Sequence, residues 1–133
     1  MILVDTSVWI EHLQSASATL AELLGDGEVL GHPFVLGELA LGNLRQRNDV
    51  LRMLRRLLQA TSASHLEVLQ LINREVLFGR GIGYVDAHLL AATRLTVGSK
   101  LWTRVRRLHT VAGSLVWQRR CRIDPDAGLA HAS

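Results

Sequence analysis

The sequence has very little cysteine and no long uninterrupted apolar segment. Cys121 is the only cysteine among 133 residues, which excludes a disulfide within the chain and a cysteine-based zinc site. Acidic residues such as Glu38, Glu67 and Asp86 interrupt each apolar stretch before it could span a bilayer. The N-terminus lacks the basic segment and apolar run of a signal peptide. These absences predict a cytoplasmic protein that does not enter a membrane.

Basic residues are also absent from the first part of the chain. Residues 1–43 contain six acidic residues and no lysine or arginine, whereas no acidic residue lies between Ala87 and Ile123. The net charge of the whole chain is +3. An acidic half and a basic half favour a polyanionic partner, although a solvated basic surface is the alternative.

What the sequence does contain is an alternation of short apolar strands with helices. Hydrophobic residues make up 48% of the chain, enough to form a sizeable core. The alternation predicts a single three-layer α/β domain at residues 1–120, with a short, mostly parallel sheet, and a C-terminal tail at 121–133. The predicted strands are 2–4, 28–30, 59–61 and 100–103, with a last edge strand at 115–117.

Short polar signals mark where several helices begin. Thr19 and Ser64 each stand three residues before a glutamate, the pattern of a capping box. Pro33 suits the first position of a mostly buried helix that reaches about Leu44. A helix from about residue 48 to Gln59 has an apolar stripe and a basic face that contacts either solvent or a partner. The basic face consists of Arg52, Arg55 and Arg56.

Three carboxylates stand out by their positions. Asp5 follows the first strand, at the sheet edge where parallel α/β folds bind ligands. Glu38 is the only charge in its helix, with a narrow solvated face as the alternative explanation. Asp86 falls in the first turn of a helix at 84–95, a common place for an acid. If the three converge, Mg²⁺ or Mn²⁺ would relieve their repulsion and could activate water for phosphodiester hydrolysis.

Three segments containing these acids resemble the successive motifs of the PIN-domain family. They are residues 4–9 (VDTSVW), 38–42 (ELALG) and 83–91 (GYVDAHLLA). Within that family, the chain most resembles VapC-type toxins of bacterial type II toxin–antitoxin pairs. The resemblance covers nearly the whole chain. It implies a PIN-like α/β/α fold, a Mg²⁺- or Mn²⁺-dependent endoribonuclease, a homodimer, and neutralisation by a VapB-like antitoxin.

The resemblance also assigns roles to individual residues. By position, Asp5, Glu38 and Asp86 match catalytic acids, and Asp5 and Asp86 are the expected metal ligands. Polar side chains beside the first acid and after the last strand would support a metal-bound carboxylate or water. These supporting residues are Thr6, Ser7 and Thr103. Independently of the resemblance, the basic run after the last strand of the parallel sheet would hold the RNA backbone. That run consists of Arg104, Arg106 and Arg107.

One position departs from the family pattern. Val105 stands where the family usually has a fourth acid, in a stretch that reads LWTRV. Valine cannot bind a cation, so metal affinity should be weaker than in a complete site. Glu11, Asp124 or Asp126 could substitute, but no spacing argument favours any of them. The alternative function is a catalytically impaired PIN-fold module that binds RNA or antitoxin. A phosphoacceptor receiver domain is less compatible, because Asp5 lacks an adjacent acidic partner.

Overall fold

A four-stranded parallel sheet forms the centre of the protein in this computed structural model, which describes residues 1–119. The tail that begins at Cys121, with Asp124 and Asp126, lies outside the described residues. The sheet order is β3-β2-β1-β4, and Leu3 of β1 pairs with Leu30 on one side and Leu101 on the other. The strands are β1 (Ile2–Val4), β2 (Val29–Gly31), β3 (Leu58–Gln59) and β4 (Lys100–Trp102).

Helices flank this sheet, as the predicted three-layer α/β/α fold requires. Helix α1 packs against α3 and α3 against α4, whereas α5 packs against α6, and α6 and α7 pack against α8. The helices are α1 (Thr6–Gln14), α2 (Ala18–Gly25), α3 (Pro33–Leu41), α4 (Arg47–Arg56), α5 (His65–Arg74), α6 (Tyr84–Leu95), α7 (Arg106–Gly113) and α8 (Val116–Arg119).

The core is built on β1 and α6. All three residues of β1 are fully buried, and burial of an aliphatic side chain stabilises the fold by about 1.5–3 kcal/mol. Helix α6 buries the continuous run of residues 87–93. Asp5 directly follows β1, and Asp86 lies in the first turn of α6. Since both elements belong to the core, the backbone of each acid is held in place by the packing of the core.

The last predicted strand is wrong. Residues 115–117 do not extend the sheet, because the short helix α8 begins at Val116. Leu115, just before this helix, is buried in the core. The side chain of Gln118 accepts a hydrogen bond from the backbone N–H of Leu101 at 2.9 Å. A side-chain amide therefore takes the place of a strand at this edge of β4.

Two helix starts also differ from the predictions. Ser17, not Thr19, caps α2 by accepting the backbone N–H of Leu20 at 3.2 Å. Helix α4 follows Gln46, which has a left-handed backbone with φ of 51°. The capping box between Ser64 and Glu67 and the start of α3 at Pro33 are confirmed. Within residues 1–119, no helix combines the length and apolar character needed to cross a membrane.

His32, which caps α3, gives a pH-dependent contribution to stability. Its Nδ1 accepts the backbone N–H of Phe34 at 3.0 Å, so the neutral ring carries its proton on Nε2. Burial, and secondarily the charge of His88, lowers the pKa of His32 from 6.5 to about 4. Between these values the unfolded chain binds a proton that the folded chain does not, so acidification favours unfolding.

We expect acidification from pH 6.5 to 4 to lower the free energy of unfolding of the wild type more than that of His32→Asn. The difference should approach about 3 kcal/mol, because each pKa unit corresponds to about 1.4 kcal/mol. Asparagine is a suitable control since it also caps helices but does not titrate. Urea denaturation at each pH measures the effect, and parallel pH profiles for both proteins would contradict it.

Candidate active site

The carboxylate of Asp5 lies at the carboxyl end of β1 and is almost fully buried, with 5% of its surface exposed. Its Oδ2 accepts hydrogen bonds from the hydroxyl of Ser7 at 2.7 Å and from that of Thr103 at 2.8 Å. Its backbone N–H donates to the carbonyl of Trp102 at 2.9 Å, which joins the end of β1 to the end of β4. Both hydroxyls bind the same oxygen, so neither occupies Oδ1.

The two hydroxyls are themselves held by the backbone of the segment after β4. The N–H of Arg104 donates to Ser7 Oγ, and the N–H of Val105 donates to Thr103 Oγ1, each at 3.0 Å. Each hydroxyl has one proton, and its oxygen is already accepting an N–H. Both hydroxyl protons are therefore directed to Asp5, and the position of this carboxylate is fixed by two chains of hydrogen bonds.

Thr6 connects Asp5's neighbourhood to α3. Its hydroxyl donates to Oε1 of Glu38 at 2.7 Å. Glu38 is exposed, and α3 has an open face, so the expectation of a mostly buried helix around Glu38 is wrong. The structure thus places Glu38 beside the first turn of α1, in solvent, with a hydroxyl partner.

Asp86 lies in the first turn of α6, as predicted. Its Oδ2 accepts the backbone N–H of Gly83 at 3.0 Å. Burial raises the pKa of Asp86 above its ordinary value, and the charge of Asp5 raises it further, although the hydrogen bond from Gly83 acts in the opposite direction. The charge of Asp5 thus disfavours the ionised form of Asp86, a repulsion that a bound cation would relieve.

The described part of the chain does not bring three protein ligands together for a metal ion. Among residues 1–119, no group of three or more acidic, histidine or cysteine side chains is placed to hold a metal ion. Mg²⁺ sites in proteins commonly use only one or two carboxylates, because the ion keeps several of its waters. The repulsion between Asp5 and Asp86, and the oxygen atoms that their carboxylates offer, fit a hard divalent cation held by these two residues.

The predicted RNA-binding arginines have different surroundings. Arg104 is mostly buried, and its Nη2 lies 2.9 Å from Oε1 of Glu11. Glu11 is thus engaged by an arginine, which does not favour it as the substitute metal ligand. Arg107 packs against Gly81, where an added Cβ would lie 2.8 Å from Nη1 of Arg107. Arg106 is exposed.

Val105 lies immediately before α7, at its N-cap position, with 44% of its surface exposed. Its side chain makes no capping hydrogen bond. Its backbone N–H donates to the hydroxyl of Thr103, which in turn donates to Asp5. The backbone at position 105 is therefore linked to the Asp5 carboxylate through two hydrogen bonds.

A row of rings beside Asp86 was not predicted from the sequence. His88 is buried, and the ring of Phe34 lies 4.6 Å from it between centroids, as does the ring of Tyr84. The row continues to His32 at one end and His65 at the other. Tyr84 and His88 are four residues apart on one helix, so their contact can be predicted from the sequence. The contact of Phe34 with His88 joins two helices and has no such signal in the sequence.

No family model matches the chain. Ribonuclease VapC32 from Mycobacterium tuberculosis (strain CDC 1551 / Oshkosh) is 56% identical over 108 residues, which are 81% of this chain and 87% of that protein. Ribonuclease VapC32 from Mycobacterium tuberculosis (strain ATCC 25618 / H37Rv) matches with the same identity and the same shares. With this identity over most of both chains, the protein belongs to the VapC family of PIN-domain proteins.

Proposed function

We propose that this protein is an endoribonuclease toxin that hydrolyses RNA with Mg²⁺ or Mn²⁺ and is neutralised by a VapB-like antitoxin. The observation that carries the proposal is the 56% identity with a protein named as a VapC ribonuclease. The hydrogen-bonded Asp5 supports it, because a fixed carboxylate beside a second acid is suited to metal-dependent hydrolysis. The identity does not favour the alternative of a module without catalysis.

Each candidate residue has a defined part in this proposal. Asp5 and Asp86 would hold the cation, with Ser7 and Thr103 keeping Asp5 in one orientation. When bound, the cation would lower the pKa of a coordinated water and offset charge on the attacked phosphate. Glu38, which accepts a hydrogen bond from Thr6 and is open to solvent, would orient that water or the substrate.

A cleft between α1 and the loop after α3 is suited to the antitoxin. Its volume is about 910 Å³, and it is lined by apolar residues of α1, of this loop and of α4, as well as by polar loop residues. An apolar peptide segment could cover this cleft while a basic side chain enters among the carboxylates and replaces the cation's charge. The apolar lining residues are Ile10, Leu13, Leu44 and Val50.

The proposal also includes a cytoplasmic homodimer, the assembly that the family resemblance implies.

The proposal predicts that RNA cleavage requires a divalent cation. Purified protein should cleave single-stranded RNA when Mg²⁺ or Mn²⁺ is added, and excess EDTA should reduce the rate to background, because the uncompensated charge of Asp5 and Asp86 repels the phosphate. Re-adding Mg²⁺ to the same sample should restore the rate. Cleavage that persists in EDTA would overturn the metal-dependent mechanism.

A further inference from the structure

Two aromatic rings of the row beside Asp86 are exposed. Phe34 has 39% of its surface exposed and Tyr84 has 43%, whereas His88 between them is buried. Both exposed rings contact His88 edge to face, with interplanar angles of 62° and 87°. Tyr84 is further fixed by a hydrogen bond between its hydroxyl and Nδ1 of His65. The two rings are therefore held in place while remaining open to solvent.

Phe34 connects these rings to the candidate acids. Tyr84 and Asp86 are two residues apart in the first turn of α6 and point to different sides of the helix, whereas Tyr84 is linked through His88 to Phe34. Phe34 and Glu38 are four residues apart on α3, so they lie on the same face of that helix. The exposed aromatic surface therefore begins on the face of α3 that carries Glu38, whose carboxylate accepts a hydrogen bond from Thr6, the residue after Asp5.

Arginines border the same region. Arg80 lies in the loop before α6 and is exposed, with Nη1 at 3.5 Å from the hydroxyl of Ser114. Arg107, from α7, packs on Gly81 of that loop, where φ is +80° and a side chain would collide with the guanidinium. Rigid exposed rings next to cations match a nucleic-acid strand, which supplies base faces and phosphates together.

We propose that Phe34 and Tyr84 form a stacking surface for one unpaired base of the RNA substrate, adjacent to the cleaved phosphate. This inference rests on the proposed ribonuclease function and adds residues that select the substrate's conformation. Bases in a duplex are already stacked on their neighbours, whereas an unpaired base can be turned onto an aromatic side chain. The surface therefore favours single-stranded segments over paired ones.

The test compares Phe34→Leu and Tyr84→Leu with wild type, because leucine keeps apolar bulk against His88 but has no aromatic face. The probe is a 12-nucleotide single-stranded RNA with one 2-aminopurine, and binding is measured on an Asp5→Asn background to prevent cleavage. Each substitution should weaken binding about tenfold and reduce the quenching of 2-aminopurine that stacking produces. In the cleavage assay with Asp5 intact, KM should rise by a similar factor while kcat changes little.

Two controls separate stacking from other effects. Tyr84→Phe keeps the ring and loses the hydroxyl bonded to His65, so it should retain most of the binding. Phe78→Leu removes an exposed aromatic ring outside the row, 63% of whose surface is exposed, and should leave binding unchanged. Thermal denaturation of each variant identifies any loss of folding.

The outcomes distinguish this inference from the proposed function. If folded Phe34→Leu and Tyr84→Leu bind and cleave the probe like wild type, the stacking surface is wrong while the ribonuclease assignment stands. If they instead lose self-association with unchanged RNA binding per monomer, the rings belong to an interface between copies, which also overturns the inference. If wild type neither binds nor cleaves RNA with Mg²⁺, the proposed function itself fails.

Discussion

Asp5→Asn should lower the rate of metal-dependent RNA cleavage at least about a hundredfold. A metal ion contributes several kcal/mol to stabilisation of the transition state, and a loss of about 3 kcal/mol corresponds to about a hundredfold in rate. Asparagine has the same shape and can still accept hydrogen bonds from Ser7 and Thr103, so the fold should remain intact. Single-turnover cleavage of a labelled RNA at saturating Mg²⁺ measures the effect.

Asp26→Asn is the matched control, because Asp26 is an exposed acid at the end of α2, away from the carboxyl ends of the strands. It should cleave at the wild-type rate. Circular dichroism and thermal denaturation should show that both variants are folded. Cleavage by Asp5→Asn within a few fold of wild type would remove Asp5 from the catalytic machinery, and the metal site would have to be sought elsewhere.

Val105→Asp should lower the Mg²⁺ concentration that gives half-maximal cleavage by about tenfold or more. The affinity of an oxygen-ligand site rises with the number of charged ligands, and position 105 is connected through Thr103 to the Asp5 carboxylate. The same substitution places an acid at the N-cap of α7, where capping contributes about 1 kcal/mol. The change in metal dependence therefore has to be separated from a change in stability.

Val105→Asn makes that separation, because asparagine caps a helix as well as aspartate does but adds no charge. Without metal, both variants should be more stable than wild type. Val105→Asp should gain less stability than Val105→Asn, since a third carboxylate repels Asp5 and Asp86. Added Mg²⁺ should raise the melting temperature of Val105→Asp more than that of the other two proteins. Equal Mg²⁺ dependence in all three would show that the site works without an acid at 105.

The parts that the sequence predicts well are those where local chemistry and tertiary packing agree. Helix α6 begins at Tyr84 as predicted, and the polar side chains of Ser7 and Thr103 do contact Asp5. The sequence left open whether Glu38 is exposed, because an apolar composition does not tell which face of a helix the neighbouring helices cover. The short helix at Val116 was mistaken for a strand, since a run of apolar residues this short fits either structure.

The row of rings depends on contacts between distant parts of the chain. Phe34 and His88 are far apart in sequence and meet only because α3 and α6 begin near each other. Likewise, the pairing of Arg104 with Glu11 joins residues from opposite ends of the chain. The pattern of charges predicts Arg104 as an RNA contact but does not reveal that Glu11 is its partner in the fold.

The support of Asp5 through backbone N–H groups has a consequence for how this site tolerates variation. The N–H groups of residues 104 and 105 hold the two hydroxyls, and every residue type except proline supplies such a group. The side chain at 105 can therefore change from acid to valine without disturbing the orientation of Asp5. Proline is the one residue type that would remove these hydrogen bonds. Substitutions at position 105 can therefore change metal affinity while the orientation of Asp5 stays the same.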